Sequence, residues 1–406
     1  MLGFLKALAM PSGAERNPHL AEAARCMEAR DFTEAERHLT LATVEADRKQ
    51  ASAAQRIRVR IELAGTQRLA ALAAGATPVK DHLDNALQTI CAAIEIAARS
   101  SDMKAYVDCL DTQAAILQDM EQWPGLESVL QDAIRLSAAL PHPDAQALAR
   151  RVHHLATAHG RNSRQPEALA AFERALQMYD QAYGPASLDT AALLMELAAY
   201  LRSQRAGLRA QPYLKRALQI QEAQFGADSP QALQVVEQLA AVLEATGNHS
   251  AAAHHYERAL AMKLRKLGIG NLDEIAEMQY VLAQRHIGWD NLTRARELLS
   301  ECIGGFQRRG GPRYATALET LAQVENSSGR FPSAAQELER AANAWERCGP
   351  SYAGDLVRTL EQRATLLEQL HHDRDAQWLR KRAAELIAET KPAAPPVVRK
   401  LVRPAV

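Results

Sequence analysis

Three observations predict an all-α fold, a right-handed α-solenoid of about nine helical hairpins. The first is a helical phrase that returns every 42 residues: Glu173-Arg174-Ala175-Leu176, Lys215-Arg216-Ala217-Leu218 and Glu257-Arg258-Ala259-Leu260. A unit of that length cannot bury its apolar side alone, so each copy must pack on its neighbours. The second is composition: the 406 residues are 47% hydrophobic but only 5% aromatic, a supply of small and aliphatic side chains that suits close-packed helices better than sheets. The third is punctuation. Pro141 and Pro143, Gly184-Pro185, Gly226 with Pro230, Gly268 and Gly270, Gly310-Gly311-Pro312, and Gly349-Pro350 stand where one hairpin should end and the next begin.

The elements follow in order. Segment 1–18 carries Leu2, Phe4, Leu5 and Leu8, which are expected to cap the open end of the solenoid; with Lys6 in its middle and no basic lead-in it is a poor signal peptide. A small residue then marks the second helix of each hairpin, at Ala42, Cys91, Ala133, Ala175, Ala217, Ala259, Cys302, Ala341 and Ala383, with spacings of 49, 42, 42, 42, 42, 43, 39 and 42. A larger side chain there would force helices apart, so Cys91 and Cys302 are expected as small buried hydrophobes. Ten residues before the marker, Phe32, Trp123, His249, Leu292 and Phe331 are expected to plug the turn between the two helices. Gly247 and Gly329 lie two residues earlier still, where a helix C-terminus favours positive φ. The hairpins of 19–120 diverge, with the 49-residue spacing and an Ala-rich stretch at 69–76 that lengthens a helix, whereas 121–390 is regular. Segment 391–406 is proline-rich, carries Lys391, Arg399, Lys400 and Arg403 without an acid, and reads as a disordered basic tail.

These residues resemble the tetratricopeptide repeat family, and the 42-residue period with an Arg-Ala-Leu helix followed by a Gly-containing loop is similar to its kinesin-light-chain-type branch. Phe225-Gly226-Ala227-Asp228-Ser229-Pro230 resembles the branch's Gly-x-Asp-His-Pro loop. The resemblance implies a concave groove lined by the first helix of each hairpin, where the branch carries a Leu-Asn-Asn-Leu-Ala phrase. Its Leu-Ala end matches Leu155-Ala156, Leu197-Ala198, Leu239-Ala240, Leu282-Ala283 and Leu321-Ala322. The asparagine places hold Asp111 and Thr112, His153 and His154, Met195 and Glu196, Glu237 and Gln238, Tyr280 and Val281, Glu319 and Thr320, and Glu361 and Gln362.

By that correspondence these residues form the partner-binding face, without the asparagine amides that would clamp a peptide backbone. Asp111, Glu196, Glu237, Glu319 and Glu361 supply one carboxylate per repeat, and a concavity lined by one sign of charge favours a Lys- or Arg-bearing segment. The plainer alternative is that these carboxylates are solvated or pair with helix neighbours such as Arg202 or Arg363.

Other chemistries find little footing. Lys plus Arg and Asp plus Glu number 48 each, so the chain as a whole has no pull toward nucleic acid or anionic membrane. No run reaches the roughly 18 apolar residues of a membrane span. The five cysteines are odd in number and widely spaced, which favours a reducing, cytoplasmic setting. His153-His154, His254-His255 and His371-His372 are adjacent pairs that diverge by about 100° on a helix, so no metal is expected. The phosphate-loop and Ser-nucleophile motifs are missing, and neither a cofactor nor a catalytic residue is expected. The reading is a protein-interaction scaffold or adaptor that holds a peptide or protein. A regulatory sensor of a signal peptide or small molecule, and an accessory subunit of a larger enzyme or secretion assembly, stay open as alternatives.

Overall fold

The computed structural model describes residues 17–73, 79–267 and 272–390. The expectations for Leu2, Phe4, Leu5 and Leu8, for Gly268 and Gly270, and for the tail 391–406 lie outside the described residues. Those residues hold 18 α-helices, one 3-10 turn at Pro350–Tyr352, and no strand. In chain order the helices pair into nine hairpins, and the chain forms two compact units, 1–224 and 225–406.

The first unit contains α1 (Pro18–Glu28) with α2 (Phe32–Arg48), α3 (Ala53–Ala73) with α4 (Val79–Arg99), α5 (Met103–Asp119) with α6 (Trp123–Ala138), α7 (Ala145–Arg161) with α8 (Gln165–Ala182), and α9 (Leu188–Ser203) with α10 (Gly207–Phe225). The second contains α11 (Pro230–Ala245) with α12 (His249–Leu267), α13 (Leu272–Gly288) with α14 (Leu292–Gln307), α15 (Pro312–Ser327) with α16 (Phe331–Cys348), and α17 (Ala353–Gln369) with α18 (Asp373–Thr390).

Six of the nine second helices, α2, α4, α8, α10, α14 and α16, bury a stripe of small, large, small residues at i, i+4 and i+7, the spacing that keeps three side chains on one helical face. Ala35-Leu39-Ala42, Ala168-Phe172-Ala175, Ala210-Leu214-Ala217 and Ala334-Leu338-Ala341 are all buried in this way. The marker alanines and Cys302 therefore sit at the closest approach between helices. Cys91 does not: it is exposed, and the stripe on α4 is Ala86-Ile90-Ala93. One residue beyond Ile90 is a turn of about 100° away from the core, which carries Cys91 to solvent. The packed small residue of the second hairpin is Ala93.

The turns inside the hairpins share one backbone device. Arg30, Glu121, Ser163, Arg205, Gly247, Asp290, Gly329 and His371 each precede a second helix by two residues and each has positive φ. The next N–H reaches back five residues, as in Arg164 to His159 O and Asn248 to Leu243 O, both at 2.9 Å, and so satisfies a carbonyl the helix end leaves open. Phe32, Trp123, Leu292 and Phe331 pack against the cores beside these turns, and His249 stacks on Trp289 at 5.5 Å. The phrase that revealed the repeat also ties loops down. Arg216 donates to Pro185 O at 2.8 Å and Arg258 to Ala227 O at 3.1 Å, each 31 residues upstream in the loop before its hairpin.

Candidate partner-binding face

All thirteen expected face residues lie on first helices, and six of them, Asp111, His153, Glu196, Tyr280, Glu319 and Thr320, are engaged across the joints between hairpins. Asp111 on α5 accepts from the buried Arg151 on α7 at 2.6 and 2.5 Å. His153 on α7 meets Glu196 on α9 at 2.7 Å. Tyr280 on α13 shares a hydrogen bond with Thr320 on α15 at 3.1 Å. Glu319 on α15 is buried, accepts from the Trp345 indole N–H at 3.2 Å and from the Thr359 hydroxyl, and pairs with Arg358 on α17 at 3.2 Å. Glu237 turns within its own hairpin to Lys263 on α12 at 2.6 Å.

The carboxylate partners are thus cations and donors of adjoining helices rather than Arg202 or Arg363; Arg363 bonds Glu339 at 2.7 Å. Thr112 donates to Asp108 O at 3.1 Å, closing back on its own helix. Met195 and Gln238 are half-buried, Glu361 is exposed, and Gln362 lines a small cavity of about 260 Å³ with Leu338 and Leu366.

Charge on this face is set locally. The hydrogen bond from His153 holds the Glu196 carboxyl below the usual range against the opposing effect of burial. The surrounding protein, then the neighbouring His153 ring, pushes the His154 imidazole down. The two rings stack at 5.7 Å.

In each unit a cleft is lined in part by residues of this face. That of the second unit, about 560 Å³, has Leu260, Met278, Val281 and Leu282 as its apolar lining and Glu237, Glu274 and Glu277 as its acids, against Lys263 and Arg285. Arg285 lies over the Tyr256 ring at 4.3 Å, closing one side. That of the first unit, about 340 Å³, is lined instead by Arg68, Arg150, Arg151 and His154 with Asp111. Arg68 is paired with Asp119 at 2.5 Å, and Arg151 with Asp111. The face therefore changes character between hairpins.

Sequence reasoning missed Glu62, Arg150, Arg151, Glu274 and Glu277. Glu274 and Glu277 sit one helical turn before Met278 and Val281, and so share their side of α13. Glu62-Leu63-Ala64 repeats the residue-Leu-Ala phrase of the later hairpins and was legible in principle.

This fold and face define a helical-repeat scaffold. Two family models described as tetratricopeptide repeat match residues 148–189 and 189–265, so this stretch of the chain consists of tetratricopeptide repeats, of the 42-residue kind. Among solved structures, the apo form of RapI is 12% identical over 92% of this chain and 98% of that one, with a TM-score of 0.52, and has the same helical-repeat fold. BtubC (BKLC) from P. vanneervenii is 20% identical over 56% of this chain and 92% of its own, with a TM-score of 0.43. The nearly identical TPR-like repeats of a putative kinesin light chain from Podosopora anserina are 19% identical over 51% and 98%, with a TM-score of 0.37. No curated protein matches the chain. Among the described residues, no helix is long and apolar enough to cross a membrane.

Proposed function

We propose that the chain is a protein-interaction scaffold that holds a peptide or partner protein against its first-helix face and contributes no chemistry of its own. The observation that carries this reading is the cleft of the second unit. It is open to solvent, apolar at Leu260, Met278 and Val281, and edged by Glu237, Glu274 and Glu277. Val281 is 43% exposed, a large aliphatic left uncovered where a ligand side chain would seat. Of the acids, Glu237 is neutralised by Lys263, which leaves Glu274 and Glu277 to select a segment that alternates apolar and basic residues. Glu277 meets Arg313 at 2.8 Å, a pair exposed enough for a ligand cation to compete with it.

The test is affinity capture with the full chain, identification of the partner by mass spectrometry, and titration of the bound segment. Expected is binding that weakens at least about tenfold with Glu274→Lys/Glu277→Lys and falls as salt rises from about 50 to about 500 mM. A segment that binds the doubly reversed variant as well as the original chain, with no salt dependence, overturns this placement.

A further inference from the structure

A second cavity, of about 430 Å³, lies in the first unit between the N-terminal halves of α3 and α5. Glu62 is part of its wall, only 4% exposed, and its Oε2 has no hydrogen-bond partner among the described residues. This sets it apart from Glu196, which holds the same place before Leu-Ala in a later hairpin and has His153 at 2.7 Å. Burial pushes the Glu62 carboxyl up to about 7. A carboxylate kept out of water without a partner costs several kcal/mol, and a cation delivered to it would remove that cost.

The rest of the cavity matches one kind of cation. Ile57 and Ile61, five residues and one residue before Glu62, make an apolar wall. A charge beside an apolar strip fits a group whose ammonium ends a methylene stem. The exposed Asp102 and Asp108 also line it, where they attract a cation, and Arg58 of α3 with Lys104 of α5, one helical turn before Asp108, limit the deficit of positive charge to about one. The Asp108 carboxyl is itself raised, by burial first and by Asp111 second.

Other charged groups packed on α3 are engaged elsewhere. From α2, Asp47 binds Arg56 and Arg60, and Glu36 binds Gln67 with His82 of α4 at 3.5 Å. Thr89 of α4 donates to Gln67, and Arg68 on α3 itself pairs with Asp119 of α5.

We propose that this cavity is a binding site for an alkylammonium group, with the ammonium on Glu62 and the stem along Ile57 and Ile61. The group is the side chain of a lysine in a bound segment or a free amine. The lysine source rests on the partner-binding reading above, whereas the free-amine source does not, so the two can fail separately.

Calorimetric titration of the full chain at pH 7 and low salt tests the site with two probes, n-butylamine and an end-blocked Ala-Ala-Lys-Ala-Ala peptide. Butylamine should bind saturably at one site, and Glu62→Gln should weaken it at least about tenfold, because the amide offers no charge. Since Glu62 is about half protonated near pH 7, binding should release about half a proton, read as a heat that changes with the ionisation enthalpy of the buffer. Tighter binding of the peptide, lost when norleucine replaces its lysine, assigns the site to a protein segment; butylamine binding without peptide binding assigns it to free amines. No saturable butylamine binding, equal affinity in Glu62→Gln, or no proton release each overturns the proposal. Proton release is measured on the unaltered chain, so it decides the matter even if Glu62→Gln fails to fold.

Discussion

Asp111 on α5 accepts from the Nε and Nη2 N–H groups of Arg151 on α7, at 2.6 and 2.5 Å, across the joint between the third and fourth hairpins. The side chain of Arg151 is 8% exposed and that of Asp111 is 40% exposed, so one member of the pair is desolvated and the other is not. Removing the cation leaves a carboxylate that water can reach, which costs less than stranding a buried charge. Arg151→Met is expected to destabilise the chain by about 1–2 kcal/mol, below the 3–5 kcal/mol of a fully buried broken pair. Lysine at this position should recover less than half of the loss, because an ammonium cannot make the two-pronged contact. Urea unfolding of the three proteins measures both effects.

What was legible in the sequence is what the helix itself dictates. Ala175 and Ala217 announce the repeat because a small side chain is needed wherever two helices meet closely, and the positive φ of Gly247 and Gly329 follows from how a helix ends. The same turn at Ser163 or Arg205 was hidden, since an ordinary exposed residue takes that conformation there and only the closing hydrogen bonds, Arg164 to His159 O and Ala206 to Leu201 O, mark it. Cys91 was misplaced for a related reason: three small residues, Cys91, Ala92 and Ala93, stand in a row on α4, and only the packed structure says which faces inward. The joints were the least legible part. Glu196 reads as a free acid until α7 brings His153 to it from 43 residues away. Such a partner depends on how one hairpin seats on the next, which no local pattern specifies.

Glu319 is the most connected of the face carboxylates, and its loss should be felt more than that of Arg151. It is 6% exposed and accepts from Trp345, Thr359 and Arg358. Glu319→Ala leaves the indole N–H buried without an acceptor, while the Thr359 hydroxyl keeps Asp355 O at 2.8 Å, so the expected loss is about 2–3 kcal/mol. Glu319→Gln keeps one acceptor oxygen and should lose about half as much. Denaturant unfolding of both variants beside the unaltered chain measures the two losses, and Trp345 fluorescence reports on this joint in a background where Trp123, Trp289 and Trp378 are replaced by Phe.

Two adjacent glycines on α14 separate packing from propensity. A Cβ added at Gly305 would stand 2.8 Å from the Cβ of Ala276 on α13, whereas one added at Gly304 meets nothing within 4 Å. Alanine favours a helix over glycine by about 1 kcal/mol at either place. Gly304→Ala should therefore stabilise the chain by about 0.5–1 kcal/mol. Gly305→Ala should destabilise it by about 1–3 kcal/mol, since α13 and α14 must move apart. Thermal unfolding of both variants checks the pair, and equal signs would mean that the close approach is not maintained in solution.

His286 makes stability depend on pH. It is 1% exposed, neither ring nitrogen has a hydrogen-bond partner among the described residues, and Trp289 packs on it at 5.2 Å. Burial holds the imidazole below its ordinary value, more than the attraction of Glu257 at 3.6 Å offsets. The folded chain then takes up this proton less readily than the unfolded chain does. The contribution is complete above the unfolded value of about 6.5 and is lost as pH falls from there toward the depressed folded value. His154, also depressed, acts in the same direction, while Glu62, raised to about 7, acts oppositely over the same range. The comparison that isolates His286 is between the unaltered chain and His286→Leu, which keeps an apolar side chain against Trp289. The difference in Tm between the two should widen in favour of leucine as pH is lowered from 7.5 to about 5. A difference that stays constant across that range would show that His286 is not the group being protonated.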